Sequence, residues 1–163
     1  MKTTTYFVLH LVFAFTLSGC TDMGTNVPFL TKPIGDDFSN ISDPKARWAA
    51  YNLTDYVIEQ EMSCFCDYQG VCKVVVRSGT IVDVIRKSDG VSIISGSGQY
   101  FKTADQLFLF AESVHPDSVA YFVVEYDPRF GFPRLVYIDY YGWIADEELG
   151  YRSTAIEQIV RWY

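Results

Sequence analysis

The sequence contains few of the residues on which hydrolytic catalysis and nucleic-acid binding depend. Only two of its 163 residues are histidines, His10 and His115, and 20 acidic residues outnumber 13 basic ones, so that the formal net charge is −7. A nucleic-acid-binding surface is basic, and this charge balance argues against a nucleic-acid partner. The sequence also has no G-x-S-x-G nucleophile motif, no phosphate-binding loop and no complete calcium loop. We therefore expect no cofactor and no resident metal ion, and catalysis is the less favoured class of function.

The longest apolar run is too short to cross a membrane and is typical of a signal peptide. It spans residues 6–17, follows the positive Lys2 and ends in Leu17-Ser18-Gly19-Cys20. This ending resembles the bacterial lipobox, in which the cysteine is diacylated and becomes the new N-terminus. The resemblance implies lipidation of Cys20, and Thr21 in place of an aspartate implies an outer-membrane anchor that faces the periplasm. An ordinary secretory signal with a nearby cysteine is the alternative.

The composition divides the chain into a lipoprotein signal peptide at residues 1–19, the lipidated cysteine with a flexible tether at 20–42, and a single globular domain at 43–163. Fourteen of the 22 residues at 21–42 are Gly, Pro, Ser, Thr, Asn or Asp, too polar a composition to form a core. Four apolar residues of this segment could still pack on the domain: Phe29, Leu30, Ile34 and Phe38. Loss of 1–19, which holds one basic and no acidic residue, makes the net charge −8. Anionic lipid repels such a surface, so we expect the lipid anchor alone to hold the protein at the membrane.

Helix and strand patterns alternate through the first half of the domain. Asp43-Pro44 is typical of a helix start, because aspartate caps the first turn and proline fits the first helical position. The alternation of apolar and polar residues at 56–62 predicts a strand. The β-branched runs at 71–77 and 80–86, joined by Ser78-Gly79, predict a β-hairpin.

The second half repeats this order. The capping box Thr103-Ala104-Asp105-Gln106 predicts a helix that stops at His115-Pro116. Strands are predicted at 119–126 and 134–140, and a last strand at 153–162 is favoured over a helix. The order helix, strands, helix, strands predicts an α+β fold, with an antiparallel β-sheet that carries two helices packed on one face.

Three cysteines remain after Cys20, namely Cys64, Cys66 and Cys72, and an oxidising envelope favours a structural disulfide among them. Cys64 and Cys66 sit two apart on one face of a predicted strand, where a direct bond would strain the backbone. A bridge from either of them to Cys72 closes a short turn more easily and contributes roughly 2–3 kcal/mol. A thiol-exchange site or a thiolate metal site at the three cysteines is the alternative.

The carboxylates around the last predicted hairpin suggest a second class of function, hydrolysis. Asp127, Asp139 and the acidic residues 146–148 surround the last predicted hairpin, and a pair near Asp127 and Asp139 could serve an envelope hydrolase. A solvated acidic edge is the simpler interpretation, since Asp127-Pro128 is an ordinary turn opening. His115 lies at a predicted helix end, where the helix dipole favours a cation. We assign no catalytic residue.

Aromatic residues are dense between residues 121 and 143. The candidate interaction surface comprises Tyr121, Tyr126, Phe130, Phe132, Tyr137, Tyr140 and Trp143. Strand alternation should place Tyr121 and Tyr137 on a different face from Phe122 and Tyr140. Exposed tyrosine and tryptophan make good interface anchors. Tyrosine also covers the solvent side of many sheets without binding anything, so both interpretations stay open.

Several patterns together resemble a family of small bacterial envelope lipoproteins that share a domain of unknown function. They are the lipobox, Ser63-Cys64-Phe65-Cys66, Tyr126-Asp127-Pro128 with Gly131-Phe132-Pro133, Ile138-Asp139 and Asp146-Glu147. The similarity covers roughly residues 48–154. It implies a C-x-C element, and hence a pairing of Cys64 with Cys66 in place of a bridge to Cys72. It implies no enzyme activity and no catalytic residues.

The sequence therefore predicts a lipid-anchored, periplasm-facing module that binds an envelope protein or glycan, or supports the envelope, without catalysis. The alternatives are a carboxylate-dependent envelope hydrolase and a thiol or metal module at Cys64, Cys66 and Cys72.

Overall fold

The computed structural model describes residues 29–66 and 70–162. The signal peptide at 1–19, the lipidation site Cys20 and the tether up to residue 28 lie outside the described residues. Among the helices of the described part, none has the length and apolar character that a membrane span requires. The elements in chain order are β1 Phe29–Lys32, α1 Pro44–Tyr51, β2 Tyr56–Ser63, β3 Gly70–Arg77, β4 Thr80–Arg86, α2 Ala104–Ser113, β5 Tyr121–Tyr126, β6 Pro133–Asp139 and β7 Leu149–Trp162.

The seven strands form one antiparallel sheet in the order β4-β3-β2-β7-β6-β5, and β1 pairs with β7 off this path. The 14-residue strand β7 is the centre of the sheet. Along one side it pairs with β2. Along the other side its first four residues pair with β6 and its last residues pair with β1. A break of the β2–β7 pairing would therefore separate β4-β3-β2 from the other strands.

The predicted α+β class and its helix-strands-helix-strands order are wrong. Residues 29–66 and 70–162 form mostly antiparallel sheet, with seven strands against two α-helices of eight and ten residues. The first element of this described part is a strand, because Phe29–Lys32 pairs with the last residues of β7. That pairing joins residues more than 120 positions apart, and no local pattern in a Gly- and Pro-rich segment reveals it.

The segment predicted as a tether up to residue 42 is part of the folded domain from residue 29 onward. Three of its four apolar residues named above pack against the sheet and α1, and Leu30 is half exposed: the Phe29 and Trp162 rings lie 5.7 Å apart, Phe38 and Tyr51 lie 4.9 Å apart, and Ile34 is buried. Apolar contacts of this kind offset the entropy that the polar composition would otherwise favour.

The local signals for helix and turn are confirmed. The Asp43 side chain accepts a hydrogen bond of 2.7 Å from the Ala46 N–H, and Thr103 and Gln106 form the reciprocal capping box. Ser78 and Gly79 both have positive φ, 49° and 74°. Two such residues make the turn whose twist matches that of paired strands. The last strand is also confirmed and begins four residues earlier than predicted, at Leu149.

The two faces of the sheet bury different amounts of apolar surface. Both helices contribute to the larger core cluster, through residues such as Trp48 and Leu107. The opposite face, here called the outer face, holds a smaller cluster of Val57, Val75, Ile85 and Ile159. This cluster covers only part of that face.

The course of β7 defines two ends of the sheet. The near end is the end of the sheet at which Phe29 pairs with Trp162, the last residue of β7. The far end is where β2 and β6 finish, at Ser63 and Asp139, and where β7 begins. With a rise of about 3.3 Å per residue, β7 places the two ends roughly 40 Å apart.

Candidate functional site

The far end of the sheet carries the most exposed aromatic side chains of the described residues. Phe65, in the turn after β2, is 81% exposed, and Trp143, in the loop between β6 and β7, is 83% exposed. Tyr121 and Tyr141 are about half exposed. We call Tyr121, Tyr137, Tyr141 and Trp143 the far-end aromatic surface. Full exposure of rings of this size is unfavourable in water and marks a surface that is suited to binding.

Two tyrosines form the base of this surface on the outer face. The ring centroids of Tyr121 and Tyr137 are 6.0 Å apart, with an interplanar angle of 60°. They share a face because Val123 lies opposite Tyr137 in the β5–β6 register and side chains alternate along a strand. Phe122 packs toward the larger core cluster instead. The predicted separation of the two tyrosines from Phe122 is confirmed.

A second ring pair continues the surface into the loop. The Tyr141 and Trp143 centroids lie 5.7 Å apart. The loop is held in place because the Tyr141 N–H donates a 2.6 Å hydrogen bond to Glu147 Oε1. Gly142 lies against Ala120, whose Cβ would be 3.5 Å from a Cβ at residue 142. The exposed rings therefore stand on an ordered loop.

Gly150 lets the Tyr137 ring lie close to the backbone of β7. A Cβ at this position would come within 3.1 Å of Tyr137 Cδ2 and 3.3 Å of Ser63 Cβ. Next to the ring is an open depression of about 330 Å³, whose lining includes Glu61, Leu135 and Arg152. The depression and the two tyrosine rings lie side by side on the outer face.

Carboxylates surround the tyrosine pair. Asp139 lies opposite Tyr121 in the β5–β6 register, and Glu147 and Glu148 directly precede β7. Partial burial and the charges of Glu148 and Asp139 raise the pKa of Tyr137, with smaller contributions from Tyr121 and Glu147. The tyrosine hydroxyl therefore sits in a negative electrostatic field.

Two carboxylate oxygens at this site have no donor among the described residues. They are Asp139 Oδ1 and Glu147 Oε2, both shielded from solvent. An acceptor left without a donor in such a place costs about 1–3 kcal/mol, and more when it is charged. Both atoms lie beneath the surface, so this cost is part of the folded state of the loop.

The structure divides the predicted aromatic set between two sides of the molecule. Phe132 is 1% exposed and packs against Trp48, with ring centroids 6.0 Å apart. Phe130 packs against Tyr51 at 5.2 Å, and Tyr126 stacks on Phe108 at 5.8 Å. The expectation that Tyr126, Phe130 and Phe132 form one exposed surface with the rest is wrong for Phe132, which is buried, and Tyr126, although 39% exposed, lies on the side that α1 and α2 cover. Tyr121, Tyr137, Tyr140 and Trp143 lie at the far end.

Asp127 holds the turn that directs these rings inward. Its Oδ1 accepts hydrogen bonds from the N–H groups of Arg129 and Phe130, at 2.9 and 2.7 Å. Gly131 has a φ of 85° and lies so close to the Pro44 carbonyl that a Cβ would collide with it. The Arg47 guanidinium donates to the Pro128 carbonyl at 2.5 Å. The Asp127 carboxylate therefore stabilises the turn between β5 and β6.

The carboxylate pair that a hydrolase would need does not form between Asp127 and Asp139. In the β5–β6 register, Asp139 pairs with Tyr121 at one end, and Asp127 follows Tyr126 at the other. Six residues of strand separate the two ends by about 20 Å. Glycosidase pairs are about 5–9.5 Å apart. None of the depressions described here is lined by both residues.

The disulfide joins Cys64 to Cys66, and the bridge to Cys72 predicted from strand geometry is wrong. Strand β2 ends at Ser63, so the two cysteines lie in a turn with Cα atoms 5.3 Å apart, which a disulfide spans readily. Cys72 is buried opposite Gln60, four residues back along β2 from Cys64. Across residues 29–66 and 70–162, no group of three His, Cys, Asp or Glu side chains is arranged to hold a metal ion.

Gly150 and the depression were not anticipated from the sequence, and Glu147 was anticipated only as one of the acidic residues 146–148. The signal for Gly150 lies in the alternation at 149–152, which continues the pattern of β7 beyond the predicted start at 153. The relevance of Glu147 depends on the fold of the 140–148 loop, which has no regular pattern.

A family model covering residues 40–158 matches the chain, and its description is a family of unknown function, DUF6174. The chain belongs to the DUF6174 family. The match contains α1, α2, β2 to β6, the far-end aromatic surface and most of β7, and it leaves β1 outside. The expectation of a family of unknown function is confirmed by this DUF6174 match. No curated protein and no solved structure matches the chain.

Proposed function

We propose that this DUF6174 protein is a lipid-anchored binding module of the bacterial envelope, which faces the periplasm and captures a macromolecular partner through the far-end aromatic surface. The observation that carries the proposal is the grouping of the exposed rings of Tyr121, Tyr141 and Trp143 at one end of the sheet. Tyrosine and tryptophan bury large area at low entropic cost and dominate many binding surfaces.

The direction of the chain supports an anchor that presents this surface away from the membrane. The lipobox at Leu17-Ser18-Gly19-Cys20 supports lipidation of Cys20 and an outer-membrane location. From Cys20 to Phe29, the chain can extend by about 30 Å. Phe29 joins the near end of the sheet, and the aromatic surface lies at the far end. An anchor at Cys20 would thus hold the surface roughly 70 Å from the bilayer at full reach.

The geometry favours binding over hydrolysis at this surface. Asp127 is used within its own turn, and Asp139 lies about 20 Å from it along the hairpin. The depression beside Tyr137 is shallow and open, as is usual for contacts between macromolecules.

The anchor is tested by replacing Cys20 with serine in cells that express the full chain. We expect the C20S variant to remain as an unprocessed precursor, as should wild type treated with globomycin, because lipidation precedes cleavage in lipoprotein maturation. Thr21→Ser is the matched control and should mature normally. A C20S protein of mature size that still partitions with the membrane fraction would contradict the anchor.

The binding surface is tested by photo-crosslinking in intact cells. A photoreactive amino acid at Trp143 should give a discrete adduct of higher mass. The same amino acid at Leu109, which is 63% exposed on α2, is the control and should give none. Equal adducts at both positions, or none at Trp143 together with one at Leu109, would place the binding surface elsewhere.

A further inference from the structure

We propose that the partner is a protein that adds an extended segment as a further strand along the side of β5 that faces away from β6. The segment would pair with the backbone of Tyr121–Glu125 and carry apolar residues opposite Phe122 and Val124. This inference rests on the proposed function, because Tyr121 belongs both to β5 and to the far-end aromatic surface, and it states how the partner is held.

The two edges of the sheet differ in whether the chain itself covers them. Strand β4 forms one edge, and residues 91–93 run beside it. The Arg86 N–H donates to the Val91 carbonyl at 2.9 Å. The Ile93 N–H donates to the Val84 carbonyl at 2.8 Å. The chain therefore closes part of the β4 edge with its own backbone.

Strand β5 forms the opposite edge. It pairs with β6 on one side, and within residues 29–66 and 70–162 no backbone group forms a hydrogen bond with it on the other side. An edge strand of this kind presents a row of N–H and C=O groups, with which an extended segment of another chain can pair. The β5 edge is therefore open to a further strand.

The sequence of β5 has few of the features that keep an edge strand unpaired. Natural edges are protected by lysine, proline or bulges, and Tyr121–Tyr126 contains neither lysine nor proline. Its register shift lies at its end, between Glu125 and Tyr126, so that Tyr121–Glu125 form a regular edge. Its single charge, on Glu125, is paired with Arg134 at 2.7 Å. This nearly neutral edge suits an apolar strand.

The side chains of β5 indicate which residues the added strand presents. Phe122 and Val124 are half-buried and pack against the larger core cluster. Directly opposite residues of paired strands have Cβ atoms about 4.5–5.5 Å apart, so apolar residues opposite these two would extend that cluster. On the outer face, the residue opposite Tyr121 would cover a ring that is 56% exposed. Backbone pairing of this kind requires a polypeptide, which favours a protein over a glycan.

The direction of the strands disfavours a second copy of the chain as the added strand. A strand pairs with its own copy about a two-fold axis, which makes the pair antiparallel. The far ends of the two copies would then point in opposite directions, and so would their Phe29 ends. Two copies anchored through Cys20 in one bilayer could not both present the aromatic surface away from it. A segment of another protein has no such constraint.

Photo-crosslinking along β5, in intact cells that express the full chain, tests this proposal. A photoreactive amino acid is placed in turn at Tyr121, Val123 and Glu125, which alternation puts on one face. Mass spectrometry then locates each bond on the partner. For an added strand, β5 positions two apart should crosslink to partner residues two apart, in one constant direction. The same amino acid at Val82, which is 45% exposed on the other edge strand, is the control and should give no adduct.

Photo-crosslinking from Trp143 in the same cells separates this inference from the proposed function. The strand addition is wrong if the β5 positions give no adduct, or if their bonds are scattered over the partner; a Trp143 adduct in that case leaves the aromatic surface standing. An adduct of twice the mature mass would overturn the inference in favour of a second copy, and an adduct with sugar mass would overturn it in favour of a glycan. If the Trp143 adduct is absent and the Leu109 adduct forms, the proposed function itself fails.

Discussion

The helix-covered side of the β5–β6 hairpin and its far end are equally rich in aromatic residues, but their rings have different surroundings. On the helix-covered side, the Trp48 ring packs edge-on against Tyr56 and Phe132, and its Nε1–H donates to Asp105 at 2.9 Å. The hydroxyl of Tyr56 accepts a hydrogen bond from the Ala104 N–H. At the far end, Trp143 is 83% exposed, and Asp139 Oδ1 and Glu147 Oε2 have no donor within residues 29–66 and 70–162.

This contrast separates a stabilising role from a binding role. Aromatic side chains that are buried and satisfied contribute to the free energy of folding. Exposed rings contribute little to folding and gain free energy when a partner covers them. Substitutions on the first side should therefore lower stability, and substitutions at the far end should lower binding.

The largest expected effect is on stability and concerns Phe132. Phe132→Ala should lower the free energy of unfolding by about 3–5 kcal/mol, because it removes a fully buried ring that packs on Trp48 and Phe130. Urea denaturation followed by circular dichroism measures the change. Trp143→Ala is the control and should change the unfolding free energy by less than about 0.5 kcal/mol. Equal losses for both variants would remove the distinction between the two regions.

A smaller loss is expected at Gln60, which is fully buried below α2. Its amide accepts from the Lys102 N–H at 3.1 Å and donates to the Lys102 carbonyl and to Ser153 Oγ, both at 3.2 Å. Gln60→Leu should cost about 1–3 kcal/mol, because it leaves backbone groups of Lys102 without partners. The neighbouring outer-face substitution Glu61→Gln should be nearly neutral in the same urea titration.

The pH dependence of the free energy of unfolding should depend on a buried tyrosine of the helix-covered side. Burial raises the pKa of Tyr151 to about 12, from an ordinary value of 10.0. Above pH 10 the unfolded chain loses this proton and the folded chain keeps it, so the free energy of unfolding falls as the pH rises from 10 to 12. The loss should reach about 2 kcal/mol at pH 12. Tyr151→Phe should make this part of the profile less steep in urea denaturation, and the remaining fall should come from Tyr56, whose pKa is also raised by burial. Tyr121→Phe should leave the profile unchanged.

The smallest expected effect has the opposite sign. Asp139→Asn should raise the free energy of unfolding by about 0.5 kcal/mol, because it removes one carboxylate from beside Glu147 and Glu148. Thermal denaturation of the purified protein measures the gain. Glu112→Gln removes one charge from an exposed ion pair with Lys45 and should produce no gain. A clear loss of stability in Asp139→Asn would mean that this residue serves the fold.

Local features of this fold could be predicted from the sequence. The caps at Asp43 and Thr103 depend on residues three positions apart, and the Ser78-Gly79 turn depends on two adjacent residues. The outward position of Tyr121 and Tyr137 follows from strand alternation within one hairpin.

The features that failed depend on distant residues or on the exact end of a strand. The pairing of Phe29 with Trp162 lies beyond any local pattern, and it places residues 29–32 in the sheet ahead of α1. The disulfide pairing depended on β2 ending at Ser63, just before Cys64. Phe132 was misplaced because its burial depends on α1, which lies more than 80 residues earlier.

The most direct test of the binding surface measures both the melting temperature and the crosslinking yield of variants within the β5–β6 hairpin. Photo-crosslinking from Trp143 would be measured in the Tyr121→Ser, Tyr137→Ser background and in Tyr126→Ser, whose ring stacks on Phe108 on the helix-covered side. We expect the Tyr121→Ser, Tyr137→Ser variant to lose at least nine-tenths of the adduct while its melting temperature stays close to that of wild type. Tyr126→Ser should keep the adduct. Full adduct yield in the Tyr121→Ser, Tyr137→Ser variant would show that these two rings are not part of a binding surface.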